Sequence, residues 1–227
     1  MSAPVIAIDG PSGSGKSSTS RGVAERLGLR YVDTGAMYRA MTWWMLEHGV
    51  PIDDPASVAA HCESPRIELR QDPAAPGVSV DGTDVSLLIR EPRVADAVSL
   101  VAAVPEVRAR LVRQQRDLVD AARAAGTGVV MEGRDIGTVV LPAADLKVYL
   151  TADVAARAER RAQQDADSLG EGSVDSARAN LESRDLRDST RTVSPLAQAP
   201  DAIAIDGTDL SLDEVVDAVV AALAGTT

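Results

Sequence analysis

The chain has 227 residues, 45% of them apolar, and a net charge of −11. That length suits one α/β domain with a small insertion, the acidity argues against a nucleic-acid polymer as main partner, and no uninterrupted apolar stretch approaches the roughly 20 residues of a membrane helix. One cysteine, Cys62, excludes an internal disulfide and suits a reducing compartment, so the sequence reads as a soluble cytoplasmic protein without a signal peptide.

Val5–Asp9 is a short apolar run ending at a Gly-rich loop and reads as a buried parallel strand. Residues 17–27 have helical spacing and stop at Gly28. Residues 31–32 form a second short strand, and 36–48, apolar on most sides, a buried helix with Trp43 and Trp44 in the core. Between residues 51 and 92 the pattern changes. Residues 66–70 and 78–80 alternate polar with apolar, and Asp81-Gly82 is a hairpin signal, so this segment reads as a small antiparallel insertion. Helices follow over 92–101 and 105–125, the second opening on Pro105. Residues 128–131 and 146–150 are a third and a fourth buried strand. Residues 152–164 read as a helix with an arginine cluster, 165–173 as a mobile polar loop, and 175–191 as a helix that ends before Pro195. A fifth strand over 202–206 and an amphipathic helix over 211–223 complete the chain. Strands alternating with helices imply a five-stranded parallel sheet with helices on both faces.

Gly10-Pro11-Ser12-Gly13-Ser14-Gly15-Lys16-Ser17 matches G-x-x-x-x-G-K-[ST] without a gap, between a strand and a helix. Glycines let the backbone amides turn inward, and these amides with the helix N-terminus cradle phosphates. Lys16 reaches the β- and γ-phosphates, and the hydroxyl of Ser17 or Ser18 joins the Mg²⁺ shell, directly or through water. Of the 23 basic residues only Lys16 and Lys147 are lysine. A codon bias toward arginine accounts for the excess, and it makes a lysine retained at the phosphate loop informative. The loop alone names no reaction. A guanine-reading switch needs an N-K-x-D lysine, and Lys147 is not preceded by Asn, which weakens that reading.

Three further clusters carry charge. Asp33 to Arg39 follows the second strand and Glu132 to Thr138 the third, both at strand ends where open α/β sheets bind ligands. Arg157, Arg160 and Arg161 share one helical face, and Arg184, Arg187, Asp188 and Arg191 another. Glu159 and Asp185 offer these arginines intramolecular partners in a solvated network. The sharper reading is a lid whose arginines neutralise a transferring phosphoryl group and exclude water.

Ile8 to Lys16, Asp33-Thr34-Gly35-Ala36-Met37-Tyr38-Arg39, Gly133-Arg134-Asp135-Ile136-Gly137-Thr138-Val139-Val140 and Arg184-Asp185 to Pro195 together resemble the bacterial cytidylate kinase family, from about residue 4 to about 220. The resemblance implies transfer of the γ-phosphoryl of ATP to CMP or dCMP with Mg²⁺, by a monomer built as a core (1–50, 105–152, 195–227), a monophosphate-binding insertion (51–104) and lid helices (153–194). It implies that Gly10, Pro11, Ser12, Gly13, Ser14, Gly15, Lys16, Ser17 and Ser18 hold ATP. Thr34, Tyr38, Arg39, Ser99, Arg108, Arg134, Asp135, Arg184 and Asp188 would hold CMP, with Ser99, Arg108 and Asp135 on the cytosine. Lys16, Arg134, Arg157, Arg161, Arg184 and Arg191 would act electrostatically. Thr34 stands where serine is common, and Glu132, one methylene longer, where aspartate is common. The alternatives are another small-molecule kinase of the same fold, or a regulatory ATP-binding module without phosphotransfer, for which lid arginines are superfluous.

Overall fold

A computed structural model describes residues 3–169, 173–191 and 193–225. In chain order the elements are β1 (Val5–Asp9), α1 (Lys16–Leu27), β2 (Arg30–Asp33), α2 (Thr34–Glu47), α3 (Pro55–His61), β3 (Ile67–Arg70), β4 (Gly77–Val80), β5 (Thr83–Asp84), α4 (Pro92–Val101), α5 (Pro105–Ala124), β6 (Val129–Gly133), β7 (Leu146–Thr151), α6 (Val154–Leu169), α7 (Val174–Thr190), β8 (Ile203–Asp206) and α8 (Leu212–Gly225). A single wide turn, Ile136–Val140, follows β6. No described helix is long and apolar enough to cross a membrane.

The main sheet has the order β2-β6-β1-β7-β8, all parallel, as the sequence implies. β1 is central and buried throughout. Its alternation divides the core. Ile6 and Ile8 pack with Val23, Val215 and Val219 beneath α1 and α8. Val5 and Ala7 pack with Val119, Ala122 and Ile136 beneath α5. Because every strand of a parallel sheet ends on the same side, the segments after β1, β2 and β6 converge there.

Within the segment read as an insertion, β3-β4-β5 form a three-stranded antiparallel sheet. Asp81 and Gly82, with φ of 51° and 83°, form the tight turn between β4 and β5. This sheet shares a core with α2, where Met37, Met41 and Met45 recur every fourth residue and are fully buried. Trp44 lies in the same core with its Nε1 donating to Asp81, and Trp43 packs against it.

Two expectations are corrected. α3 is a helix inside the insertion that the sequence pattern did not reveal, since seven residues are too few for periodicity. α6 continues to Leu169 instead of ending at residue 164. Tertiary packing of α6 on α7 extends the helix beyond what local propensity alone suggests. Of the polar loop expected over 165–173, residues 170–172 lie outside the described residues.

Candidate active site

A cleft of about 940 Å³ opens at the strand ends, between the Gly-rich loop, the β3-β4-β5 sheet and the helices α6 and α7. Its floor is the loop from Ser12 to Gly15, with Gly10 and Pro11 behind it. Gly10 (φ 152°) lies so close to β7 that a Cβ would meet the Leu150 carbonyl oxygen at 2.0 Å. Gly15, at φ 91°, opens α1 without any side-chain cap. The first amides of α1 therefore stay free for an anion. Lys16 is buried, and its Nζ donates to its own loop, at 2.5 Å from Pro11 O and 3.3 Å from Ser14 Oγ. Burial, and then the Arg134 guanidinium, lower its pKa to about 7.

Behind Lys16 stands the buried carboxylate of Glu132, which accepts from the Tyr31 hydroxyl. Both side chains project to the α1 side of the sheet. Burial, and then Asp33, push Glu132 above the usual carboxylate range. Thr34 Oγ1 donates to Glu132 O at 2.7 Å. Asp33 caps α2 by accepting from Ala36 N at 2.9 Å and pairs with Arg39 at 3.2 Å. Thr34, Tyr38 and Arg39 thus face the cleft from one helix start.

The far end of the cleft holds a buried ionic constellation. Asp135 accepts from Arg108 through one oxygen and lies 3.6 Å from Arg191 through the other. The Arg108 guanidinium sits 5.4 Å from the centre of the Tyr38 ring. Burial pushes the Tyr38 hydroxyl up to about 12. Ser99 lines the cleft nearby from α4. Arg134 Nε donates to Asp188 at 3.0 Å. Arg184 has a buried Nε without a hydrogen-bond partner. Burial first, then Arg134 and Arg39, lower its pKa to about 10.

The arginines of α6 do not converge on one point. Arg161 lines the cleft. Arg160 donates to the carbonyls of Gly207 (2.7 Å) and Thr208 (3.2 Å). Arg157 is buried outside the cleft lining. It donates to Ala152 O at 3.0 Å and Ser12 O at 2.9 Å, and pairs with Asp185 at 2.5 Å. Asp185 in turn accepts from Ser12 N at 3.1 Å. Gly10 and Pro11 also stand behind the lining, the latter through its carbonyl on Lys16.

The sequence profile of the cytidylate kinase family matches residues 6–224. The chain belongs to the cytidylate kinase family. It is 53% identical to the cytidylate kinases of Streptomyces avermitilis and Streptomyces coelicolor, over 96% of this chain and 91% of each relative. It is 52% identical to that of Nocardia farcinica, over 94% of this chain and 90% of that one.

Within this cytidylate kinase family member, sequence reasoning overlooked three groups. Asp9, at the end of β1, reaches the turn after β6. Tyr31 holds Glu132. Gly207, Leu210, Leu212 and Val215 form a second, more apolar arm of the cleft beside Arg160. The strand-end rule that located the other clusters applies equally to β8, and would have found this arm.

Proposed function

We propose that the chain transfers the γ-phosphoryl group of ATP to CMP or dCMP, giving ADP and CDP or dCDP. The observation that carries the reading is the Arg108–Asp135–Arg191 constellation, set in the same cleft as the phosphate loop. Cytosine presents an amino donor beside N3 and O2 acceptors. A carboxylate with an arginine complements that edge, whereas uracil places O4 where the carboxylate needs a donor.

The free amides of α1 and the loop from Gly10 to Ser18 take the ATP phosphates, and Lys16 turns from Pro11 O to the β- and γ-oxygens. The adenine lies in the arm formed by Arg160, Gly207, Leu210, Leu212 and Val215. Mg²⁺ carried on phosphates needs only one or two protein oxygens. The Ser17 or Ser18 hydroxyl and the Glu132 carboxylate would hold the ion, which would supply charge neutralisation at the phosphates. Thr34, Tyr38 and Arg39 position the acceptor, Arg134 and Arg184 its phosphate, and Asp188 the ribose. An acceptor phosphate is already a nucleophilic anion, so no general base is required. Lys16, Arg134, Arg161, Arg184 and Arg191 act by positioning and charge, and Arg157 through its hold on Ser12. Both halves of the cleft come from one chain, which supports a monomer as the working unit.

The test is ADP release with CMP, dCMP, UMP and AMP. CMP and dCMP should exceed UMP and AMP in kcat/KM by on the order of 10-fold or more, as one mismatched buried polar group requires. Equal turnover of UMP would remove the cytosine assignment. No transfer to any acceptor would favour a regulatory module.

A further inference from the structure

The wide turn after β6 begins in an unusual way. Asp135 occupies its N-cap position, and Val140 N bonds back to Asp135 O at 3.1 Å. An aspartate there ordinarily folds its carboxylate onto the first amides of its own turn. Asp135 makes no such cap; its oxygens go to Arg108 and Arg191 instead. Another carboxylate, 127 and 128 residues away in sequence, takes the open amides. Asp9 Oδ1 accepts from Ile136 N at 2.8 Å and Oδ2 from Gly137 N at 2.7 Å.

The fit is close. Asp9 has the same strand parity as Val5 and Ala7, so its side chain points to the face where Ile136 packs. It is 4% exposed. A Cβ on Gly137 would stand 3.1 Å from Lys147 Cδ and 3.4 Å from Asp9 Oδ2. We propose that Asp9 is a positioning residue for base choice: by capping the turn in place of Asp135, it leaves the Asp135 carboxylate free to face Arg108, Arg191 and the cytosine. This rests on the role given to Asp135 above. Asp9 itself touches no substrate. Burial raises its pKa to about 6 although the two amides pull it down; Asp135 opposes its charge, and Lys16, from α1, favours it. Tyr149 and Lys147, both on β7, also face it, Lys147 across Gly137.

Asp9→Asn keeps the size but sets an amide donor against one of the two N–H groups. The Asp135 carboxylate then competes to cap its own turn. The expected result is a roughly 10-fold or larger rise in KM for CMP and a similar fall in the CMP:UMP ratio of kcat/KM, the order of one lost buried hydrogen bond. KM for ATP should change less than about threefold, and Asp9→Glu, which restores two acceptors, should recover part of the ratio. A carboxylate that merely stabilises the fold would leave the ratio alone. Asp135→Asn is run beside it. If Asp135→Asn relaxes the ratio and Asp9→Asn does not, the inference is overturned while the base reading stands. If neither does, both fall. An equal rise in KM for ATP and CMP would assign Asp9 to the phosphate loop and also overturn it. Should Asp9→Asn not fold, the wild-type CMP:UMP ratio is followed from pH 8 to about 5.5, where the shared phosphate titration cancels. It should fall below about pH 6 as Asp9 protonates and loses an acceptor; a flat ratio overturns the proposal.

Discussion

In the proposed reaction Lys16 takes the ATP phosphates, and its free state then has a measurable consequence. Buried on its own loop, it is pushed down to about 7, chiefly by burial and then by Arg134. Triphosphate oxygens restore its preference for the ammonium form. Above neutral pH the free enzyme therefore binds fewer protons at Lys16 than the ATP complex does. ATP binding at about pH 8 should draw a proton in, approaching one per site, and affinity should fall as pH rises through the window above 7. Calorimetry in two buffers of different ionisation enthalpy measures this, and proton release would contradict it. Arg184 makes the complementary case. It is half-buried beside Arg134 and Arg39, and its buried Nε has no partner. Arg184→Met should stabilise the free protein by about 1 kcal/mol, raising Tm by roughly 2–4 °C. It should also lower kcat by about 100-fold or more, because the transferred charge loses a donor. A variant that lowered Tm would show that the arginine contributes to the free fold.

Among the elements, α6 and α7 bear most directly on the phosphate loop. Ser12 is held on both backbone groups, its amide by Asp185 of α7 and its carbonyl by Arg157 of α6. Asp185→Ala leaves Arg157 buried without its carboxylate and frees the Ser12 amide. It should raise KM for ATP by about 5- to 50-fold, the range of one or two lost buried hydrogen bonds, and leave the CMP:UMP ratio unchanged. Steady-state kinetics with both nucleotides separates the two effects. This latch also marks the limit of what the sequence discloses. Periodicity and the Gly-rich loop located every strand of the main sheet. The strand-end rule placed Asp33–Arg39 and Glu132–Thr138 at one cleft, because parallel strands all end on the same side. Pairings such as Ser12 with Asp185, Asp9 with Gly137 and Arg108 with Asp135 span 27 to 173 residues. Only the packed fold brings them together, so no local spacing announces them. Arg157 illustrates the point: its helical spacing suggested a phosphate ligand, whereas the packing of α6 on the loop turns it to a backbone carbonyl.

Across the whole molecule the charge is segregated. The chain carries −11, yet eleven cationic side chains and five carboxylates line the cleft. The outer surface is correspondingly more acidic than the total suggests, and the free cleft holds like charges against one another. Arg191 is lowered by burial and then by Arg108, as Arg184 is by Arg134 and Arg39. Two phosphate-bearing ligands relieve that repulsion, which makes the nucleotides part of the folded molecule's electrostatic balance. At about 100 times their dissociation constants, CMP with a non-transferring ATP analogue should each add about 2.7 kcal/mol of stability, or roughly 5–10 °C in Tm. Raising salt from about 0.05 M to about 0.5 M should raise the Tm of the free protein and shrink the ligand-induced rise, because screening weakens the repulsion and the phosphate contacts together. The acidic surface alone would produce the first effect. Arg184→Met separates the sources: with one cleft charge removed, its free Tm should rise less with salt than that of the parent chain. An identical salt response in the two proteins would place the repulsion on the outer surface rather than in the cleft.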